Sequence, residues 1–214
     1  GIIYIAGHAR KINCFPENFG TPAVMAYAYD QNPMVSAVLP DDETSAYQMT
    51  RYLIRKGHKK IALLAGREDN LHTRRRLKGY QNALFDAQIL YNPRLVRYVD
   101  WNKPSGYQET KRLLKEDITA IFCMADTIAG GVYQYLDEQG LRAGRDVSVV
   151  GFDNHVLSEY MIPGLTTMAL PLKEIGTTSA KLLFDQIEKG EVEMNREILI
   201  PCFLVERCSV KEIK

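Results

Sequence analysis

The 214 residues include only four cysteines and one tryptophan, and the 27 lysines and arginines almost balance the 26 aspartates and glutamates. Each shortage excludes something. Cys14, Cys123, Cys202 and Cys208 show neither CxxC spacing nor a dense framework, so neither a cysteine metal site nor a disulfide scaffold is expected. Reduced cysteines in a cytosolic setting are the default, and Cys123, inside the apolar run 121–124, reads as a small buried hydrophobe. The charge balance leaves no basic excess to neutralise phosphates, so the chain is not expected to grip DNA by itself. No apolar stretch approaches the roughly 20 residues that span a bilayer, so no membrane partner is expected.

Catalytic signatures are missing as well. There is no GxSxG nucleophile elbow, no GxxxxGK[ST] phosphate loop, no HExxH and no GxGxxG after a strand. His8, His58, His72 and His155 are too scattered for a metal set, and neither a metal nor a cofactor is expected. Asp41, Asp42 and Glu43 resemble paired catalytic carboxylates, yet the preference of acidic side chains for a helix N-terminus explains them without remainder.

What the chain does have is strands and helices in alternation, the pattern of a doubly wound parallel sheet. Apolar residues make up 46% and charged ones 25%, ordinary for a globular protein. Strands are expected at 2–6, 23–27, 35–39, 60–65, 95–99, 120–124, 147–152, 166–169, 197–200 and 203–210. Helices are expected at 42–56, 73–86, 105–115, 127–139 and 172–189. The first opens on acidic residues and stops at Gly57, and Pro104 and Pro171 stand just ahead of two others. No linker rich in Pro, Gly or Ser divides the chain.

The most informative stretch is DVSVVGFDN at 146–154. Its apolar run reads as a parallel strand buried on both faces, and it ends abruptly in Asp153 and Asn154. In open α/β sheets ligands bind beyond the carboxyl ends of the strands, because helices cover both faces.

This stretch, with YMIPGLTTMALPLKEIG at 160–176, RYLIRKGHKKIALLAG at 51–66, RRLKGY at 75–80 and LDEQGLRAGRDVSVVGFD at 136–153, resembles the effector-binding domain of the lactose and galactose repressor family of bacterial transcription regulators. The resemblance runs over nearly the whole chain. It implies a fold of the periplasmic binding protein type: two similar doubly wound lobes joined by three crossovers near 39–41, 169–171 and 200–201. The N-terminal lobe would comprise 1–39 with 171–200, and the C-terminal lobe 40–170 with 201–214. GIIYIAG at the start resembles the third strand of the first lobe. The resemblance therefore implies a longer native product, with a DNA-binding headpiece and two strand-helix units ahead of this segment, or another segment covering the edge at 2–6.

Five residues are candidates for the ligand. An unpaired carboxylate at the end of a buried strand is costly, so Asp153 needs donors from protein, water or ligand, although capping the next turn would also supply them. The resemblance assigns it to the effector. Arg74, Arg75 and Arg76 fan out about 100° apart on a helix and cannot share one crevice. A solvated basic face accounts for Arg75, while Arg76 matches the family arginine that reaches the ligand. Leu77, Tyr80 and Leu84 mark the core face, and Asn70 and His72 stand in the loop before the helix. Trp101, in VDWN beyond a strand end, offers a flat platform for a sugar ring or base, or packs on its own domain. Asp126, well placed as an N-cap, and Tyr27 are the remaining members. Where sugar-responsive relatives carry Asn before this aspartate and Arg-Gln before the last crossover proline, this chain has Ala125 and Ala169-Leu170. A less hydroxylated, modified or partly apolar effector follows.

The helix at 127–139 carries apolar residues around most of its circumference, more than one sheet face can bury. Gly130 and Gly131 within it suggest the close approach of another backbone. A homodimer through Gly130, Tyr133 and Met161 is expected, with burial of the helix inside its own lobe as the alternative. The combined reading is a small-molecule effector domain, binding a sugar or sugar derivative in preference to a purine, that meets DNA only through a headpiece elsewhere. The rival readings are a transport receptor of the periplasmic sugar-binding type and an α/β enzyme.

Overall fold

The computed structural model describes residues 1–6, 11–16, 18–190, 194 and 196–213; His8 lies outside them. In chain order the strands are β1 (Ile2–Ile5), β2 (Lys11–Ile12), β3 (Ala23–Ala26), β4 (Tyr29–Asp30) and β5 (Ser36–Pro40), followed by helix α1 (Asp42–Arg55). Then come β6 (Ile61–Ala65), α2 (Leu71–Asp86), a 3-10 turn (Pro93–Leu95), β7 (Val96–Tyr98), α3 (Lys103–Leu113), β8 (Ala120–Cys123), α4 (Asp126–Glu138) and β9 (Ser148–Val150). The chain ends with α5 (Leu157–Tyr160), β10 (Thr167–Ala169), α6 (Leu172–Lys189), β11 (Glu197–Ile200) and β12 (Phe203–Val205). Among the described residues no helix is long and apolar enough to cross a membrane.

The elements form two compact units, Gly1–Asp41 with Pro171–Cys202 and Asp42–Leu170 with Phe203–Lys214. The first is built on a parallel sheet in the order β1-β3-β5-β11. Its central strands β3 and β5 are buried and, Ser36 apart, apolar; α6 packs on them, closing a core of Val24, Ala26, Val38, Ile175 and Leu182. Inside it Gln186 donates to Ser36 Oγ at 2.9 Å, pairing two buried polar groups that would otherwise be costly. A short parallel pair, β2 with β4, adds a pairing that the sequence pattern does not signal.

The second unit has a parallel sheet in the order β7-β6-β8-β9. Alternate residues Ala62, Leu64, Ile121, Cys123 and Val149 join Ile128, Val132 and Leu136 of α4 in one core. Their neighbours Ile61, Leu63, Phe122 and Val150 are equally buried, as a strand covered on both faces requires. Helices α1 and α2 pack together, as do α3 and α4. The connections leave β6 toward β7 on one side and continue to β8 on the other, so the order reverses between β6 and β8. That is where an open α/β sheet forms a crevice.

Several boundaries differ from the sequence reading for physical reasons. Helix α2 opens at Leu71 rather than 73, because Asn70 Oδ1 accepts from the backbone N–H of His72 at 2.9 Å. Likewise α3 opens at Lys103, with Asn102 Oδ1 accepting from Ser105 N at 3.0 Å. The strand expected at 203–210 pairs with β10 only over Phe203–Val205. Beyond it the segment is stitched by side chains: Ser209 Oγ donates to Val149 O at 2.5 Å and accepts from Thr166 N at 2.8 Å. His58 is buried just after α1, with ring nitrogens on Thr119 Oγ1 and the carbonyl of Lys211.

Candidate functional site

The carboxyl ends of β6, β8 and β9 gather a buried polar cluster in the second unit. Its centre is Arg76, which lies on the inner face of α2 with Thr73, Tyr80 and Ala83, at helical spacing. The guanidinium stacks on the Phe152 ring, 3.6 Å from its centroid. Its Nε donates to Asp42 Oδ1 at 2.7 Å, and Nη1 donates to the carbonyl of Met124, just past β8. Nη1 also stands 3.7 Å from Asp153 Oδ1.

Asp42 is the residue that sequence reasoning missed. The first turn of a helix is a sufficient reason for an aspartate there, so nothing at that position signalled more. The structure corrects that reading: the Asp42 carboxylate is fully buried and takes donors from α2, His72 Nδ1 on one oxygen and Arg76 on the other. Burial pushes its pKa up, but Arg76 and His72 outweigh this and hold it below the usual value. His72 is likewise not a loop residue. It sits buried in the first turn of α2, and its burial drives the imidazole pKa down more than Asp42 raises it.

Asp153 keeps 30% of its side chain exposed at a backbone φ of 110°. For a residue with a Cβ that conformation is strained, and such strain concentrates at functional sites. The position is fixed from both sides, with Asp153 N donating to Met168 O at 2.8 Å and Leu170 N to Asp153 O at 3.4 Å. Its low-dielectric surroundings push the carboxyl up to about 7; Arg76 pulls it down, and Asp126 and Asp42 add to the rise. Its neighbour Asn154, also at positive φ, accepts from Arg207 Nη2 at 2.9 Å, in keeping with a turn former.

Asp126 does not cap its own helix. Ala125 is the N-cap, and the Asp126 carboxylate accepts from Thr167 Oγ1 at 2.6 Å and from His155 N at 2.7 Å. It is completely buried, and burial lifts its pKa to about 6 against those hydrogen bonds. A Cβ on Gly151 would fall 2.1 Å from Asp126 Oδ1, so the glycine of VVGFD is what admits this carboxylate. The arrangement locks the loop carrying Asp153 to α4 and β10.

Trp101 lies half-buried on its own unit. Its indole covers Gly66, the residue after β6, so closely that a Cβ there would be 1.9 Å from Trp101 Cζ2. The switch point between β6 and β8 thus carries the indole on one strand end and the Arg76 contact on the other. Tyr27, at φ 64°, belongs to the first unit, packed against the core of its sheet. The second unit thus brings together Arg76, Asp153 and Asp126. An open cavity of about 600 Å³ lies elsewhere on this unit, lined by Arg67, Asp69, Tyr98, Asp100 and Glu109, and none of the candidate ligand residues lines it.

The expected dimer residues are mostly turned inward. Tyr133 donates to Pro163 O at 2.9 Å and packs on the core of its unit, and Met161 is buried. Gly131 does meet another backbone, but it is that of α3 in the same chain: a Cβ would lie 2.1 Å from Lys103 O.

Comparison with known proteins agrees with this architecture. A family model described as a periplasmic binding protein-like domain matches residues 50–210. The repressor PurR of Vibrio atlanticus (strain LGP32), an HTH-type transcriptional repressor, is 33% identical over 86% of the chain and 55% of its own length. A LacI family transcriptional regulator from Enterococcus faecium, solved with bound ribose, superposes with a TM-score of 0.79 at 34% identity, covering 90% of this chain and 72% of that one. The chain is a member of the LacI family. A dimeric Lac repressor with an 11-residue C-terminal deletion is similar too, with a TM-score of 0.78 and 33% identity over 92% of this chain and 71% of that one. This LacI-family segment spans little more than half of the PurR relative. The relatives are transcription regulators, which favours the effector-domain reading over the transport receptor.

Proposed function

We propose that this segment is the effector-binding domain of a bacterial transcription regulator, and that the carboxyl end of its second sheet recognises a small, neutral, hydroxyl-bearing molecule. The observation that carries the reading is Asp153: a strained, partly exposed carboxyl beside a buried guanidinium, at the sheet edge where ligands bind. A sugar or sugar derivative suits these groups, since its hydroxyls both donate to a carboxylate and accept from a guanidinium. A purine is the less favoured alternative. Trp101 supplies an apolar face. Asp126 acts by holding the Asp153 loop. The similarity to a ribose-bound regulator supports this reading.

We further propose that the regulator is a homodimer and meets DNA through a headpiece outside this segment. The contact surface runs from Gly130 of α4 onto the exposed side chains of Val156, Tyr160 and Ile162, with Tyr133 and Met161 buttressing it from within. The similar dimeric Lac repressor supports the pairing. The ligand acts to the extent that it prefers one conformation of the dimer.

A thermal-shift screen of sugars, glycosides, nucleosides and purines tests the reading, because a ligand selective for the native state raises apparent stability. Calorimetry on Asp153→Ala with the best ligand should then show a loss of about 1.5–3 kcal/mol, roughly tenfold to a hundredfold in affinity. Unchanged affinity in the folded variant would remove Asp153 from the site.

A further inference from the structure

An arginine at the floor of a binding site is ordinarily an anion receptor, since its fixed fork of donors and permanent charge match phosphate and carboxylate. Arg76 is differently placed. We propose that Asp42 is a specificity-determining residue: by matching the charge of Arg76 inside the protein, it makes the site select uncharged hydroxyl-bearing effectors and reject their phosphorylated or carboxylated counterparts. The inference rests on the assignment of the effector site to Arg76 and Asp153.

Three observations support it. First, the counter-charge is internal and close: Asp42 is fully buried and takes the Arg76 Nε–H at 2.7 Å. A buried guanidinium without a partner would be strongly unfavourable, and Asp42 supplies that partner before any ligand arrives. Second, carboxyls outnumber the cation. Arg76 faces Asp42 directly and Asp153 at 3.7 Å, and Asp126 and Asp42 both raise the proton affinity of Asp153. Of the other guanidiniums near this cluster, Arg207 is engaged by Asn154 at 2.9 Å and Glu159 at 3.3 Å, and Arg75, next to Arg76 on α2, acts on His72, whose pKa it helps to lower. Third, Arg76 itself is buried and lies on the Phe152 ring, so like-charge repulsion around it is poorly screened. An incoming phosphate would add negative charge to a cluster already short of cations. A neutral hydroxyl keeps what remains useful, an acceptor at Asp153 and the dipolar edge of the Arg76–Asp42 pair. Asp42 does this from the first turn of α1 by aiming its side chain at α2.

The test compares D-ribose, D-ribose 5-phosphate and inorganic phosphate on the whole domain, by thermal shift and calorimetry. The wild-type domain should show no saturable stabilisation by either anion. Asp42→Asn, close in shape, removes the nearer of the two carboxylates that face Arg76 and should gain at least about tenfold in affinity for ribose 5-phosphate or phosphate, readable as a rise in Tm with anion. The gain should vanish in Asp42→Asn/Arg76→Gln. Asp42→Ser provides the same measurement if the Asn variant does not fold. Saturable, Arg76-dependent anion binding by the wild-type domain would overturn the proposal, and so would a folded Asp42 variant that gains nothing. Failure of the site assignment has a different signature: a neutral ligand whose affinity ignores Asp153→Ala. The anion measurements depend on Arg76 and Asp42 and are scored separately from it.

Discussion

Arg76 Nη1 and Asp153 Oδ1 stand 3.7 Å apart, yet the proximity of the guanidinium does not keep the carboxyl ionised at neutral pH. Burial, together with Asp126 and Asp42, places its pKa at about 7, so near neutrality the group is divided between acid and carboxylate. A ligand hydroxyl that donates to Asp153 favours the carboxylate, and binding should therefore expel a proton. We expect effector affinity to rise as pH increases through about 7, then level off. Calorimetry in buffers of different ionisation enthalpy measures the proton directly. No buffer dependence near neutrality would contradict a hydroxyl donated to Asp153.

The same shift affects stability with a defined sign. A carboxyl whose pKa is higher in the folded chain than its ordinary 3.8 binds more protons when folded, so its contribution is fullest at low pH and declines as pH climbs toward about 7. Asp126 acts in the same direction up to about 6, whereas Asp42, held low, contributes at higher pH and loses that contribution in acid. Asp153→Asn removes one declining component. Denaturant unfolding between about pH 5 and pH 8 should show the variant gaining stability on the wild type as pH rises. Parallel curves would show that Asp153 titrates normally.

The strands, the helices and their alternation were legible in the sequence because burial on both sheet faces writes continuous apolar runs such as 61–65 and 120–123, and helix ends are marked by Gly57 and the prolines. The segment motifs that carry the family resemblance also singled out Asp153, just past the end of β9, and Arg76, on α2. What could not be read was pairing. Asp42 has a complete local explanation as a helix N-terminal acid, and only the packing of α1 on α2 aims it at Arg76 and His72. Asp126 satisfies a local rule for capping as well, yet its partners Thr167 and His155 are 41 and 29 residues away. Short elements such as β2, β4 and α5 have no periodicity to detect, since each spans four residues or fewer.

Asp126 is expected to act as a scaffold. Asp126→Ala strands the fully buried Thr167 hydroxyl, an unsatisfied group costing about 1–3 kcal/mol, and removes the acceptor that holds the His155 N–H. Loss of stability of about 2–4 kcal/mol is expected, with Asp126→Asn milder because its amide oxygen still accepts. Effector affinity of the folded fraction should change less than in Asp153→Ala. A stable Asp126→Ala domain with abolished binding would instead make Asp126 a ligand contact.

Self-association should be more sensitive to the surface beside α4 than to Tyr133. Ile162 is 93% exposed and Tyr160 77%, side by side on a chain whose buried neighbours Ser158 and Met161 hold them outward. Exposed apolar side chains of this size are stabilised by a partner that removes them from water, and a charge there opposes burial. Tyr133→Asp would also break the hydrogen bond to Pro163 and place a charge against the core, so loss of the dimer in that variant would be confounded with loss of the fold. Ile162→Asp and Tyr160→Asp avoid the difficulty, because neither removes a contact that the folded unit depends on. Sedimentation equilibrium should show a dimer that either change weakens at least about tenfold, with the Tm of the isolated unit unchanged. A dimer indifferent to both would place the interface elsewhere.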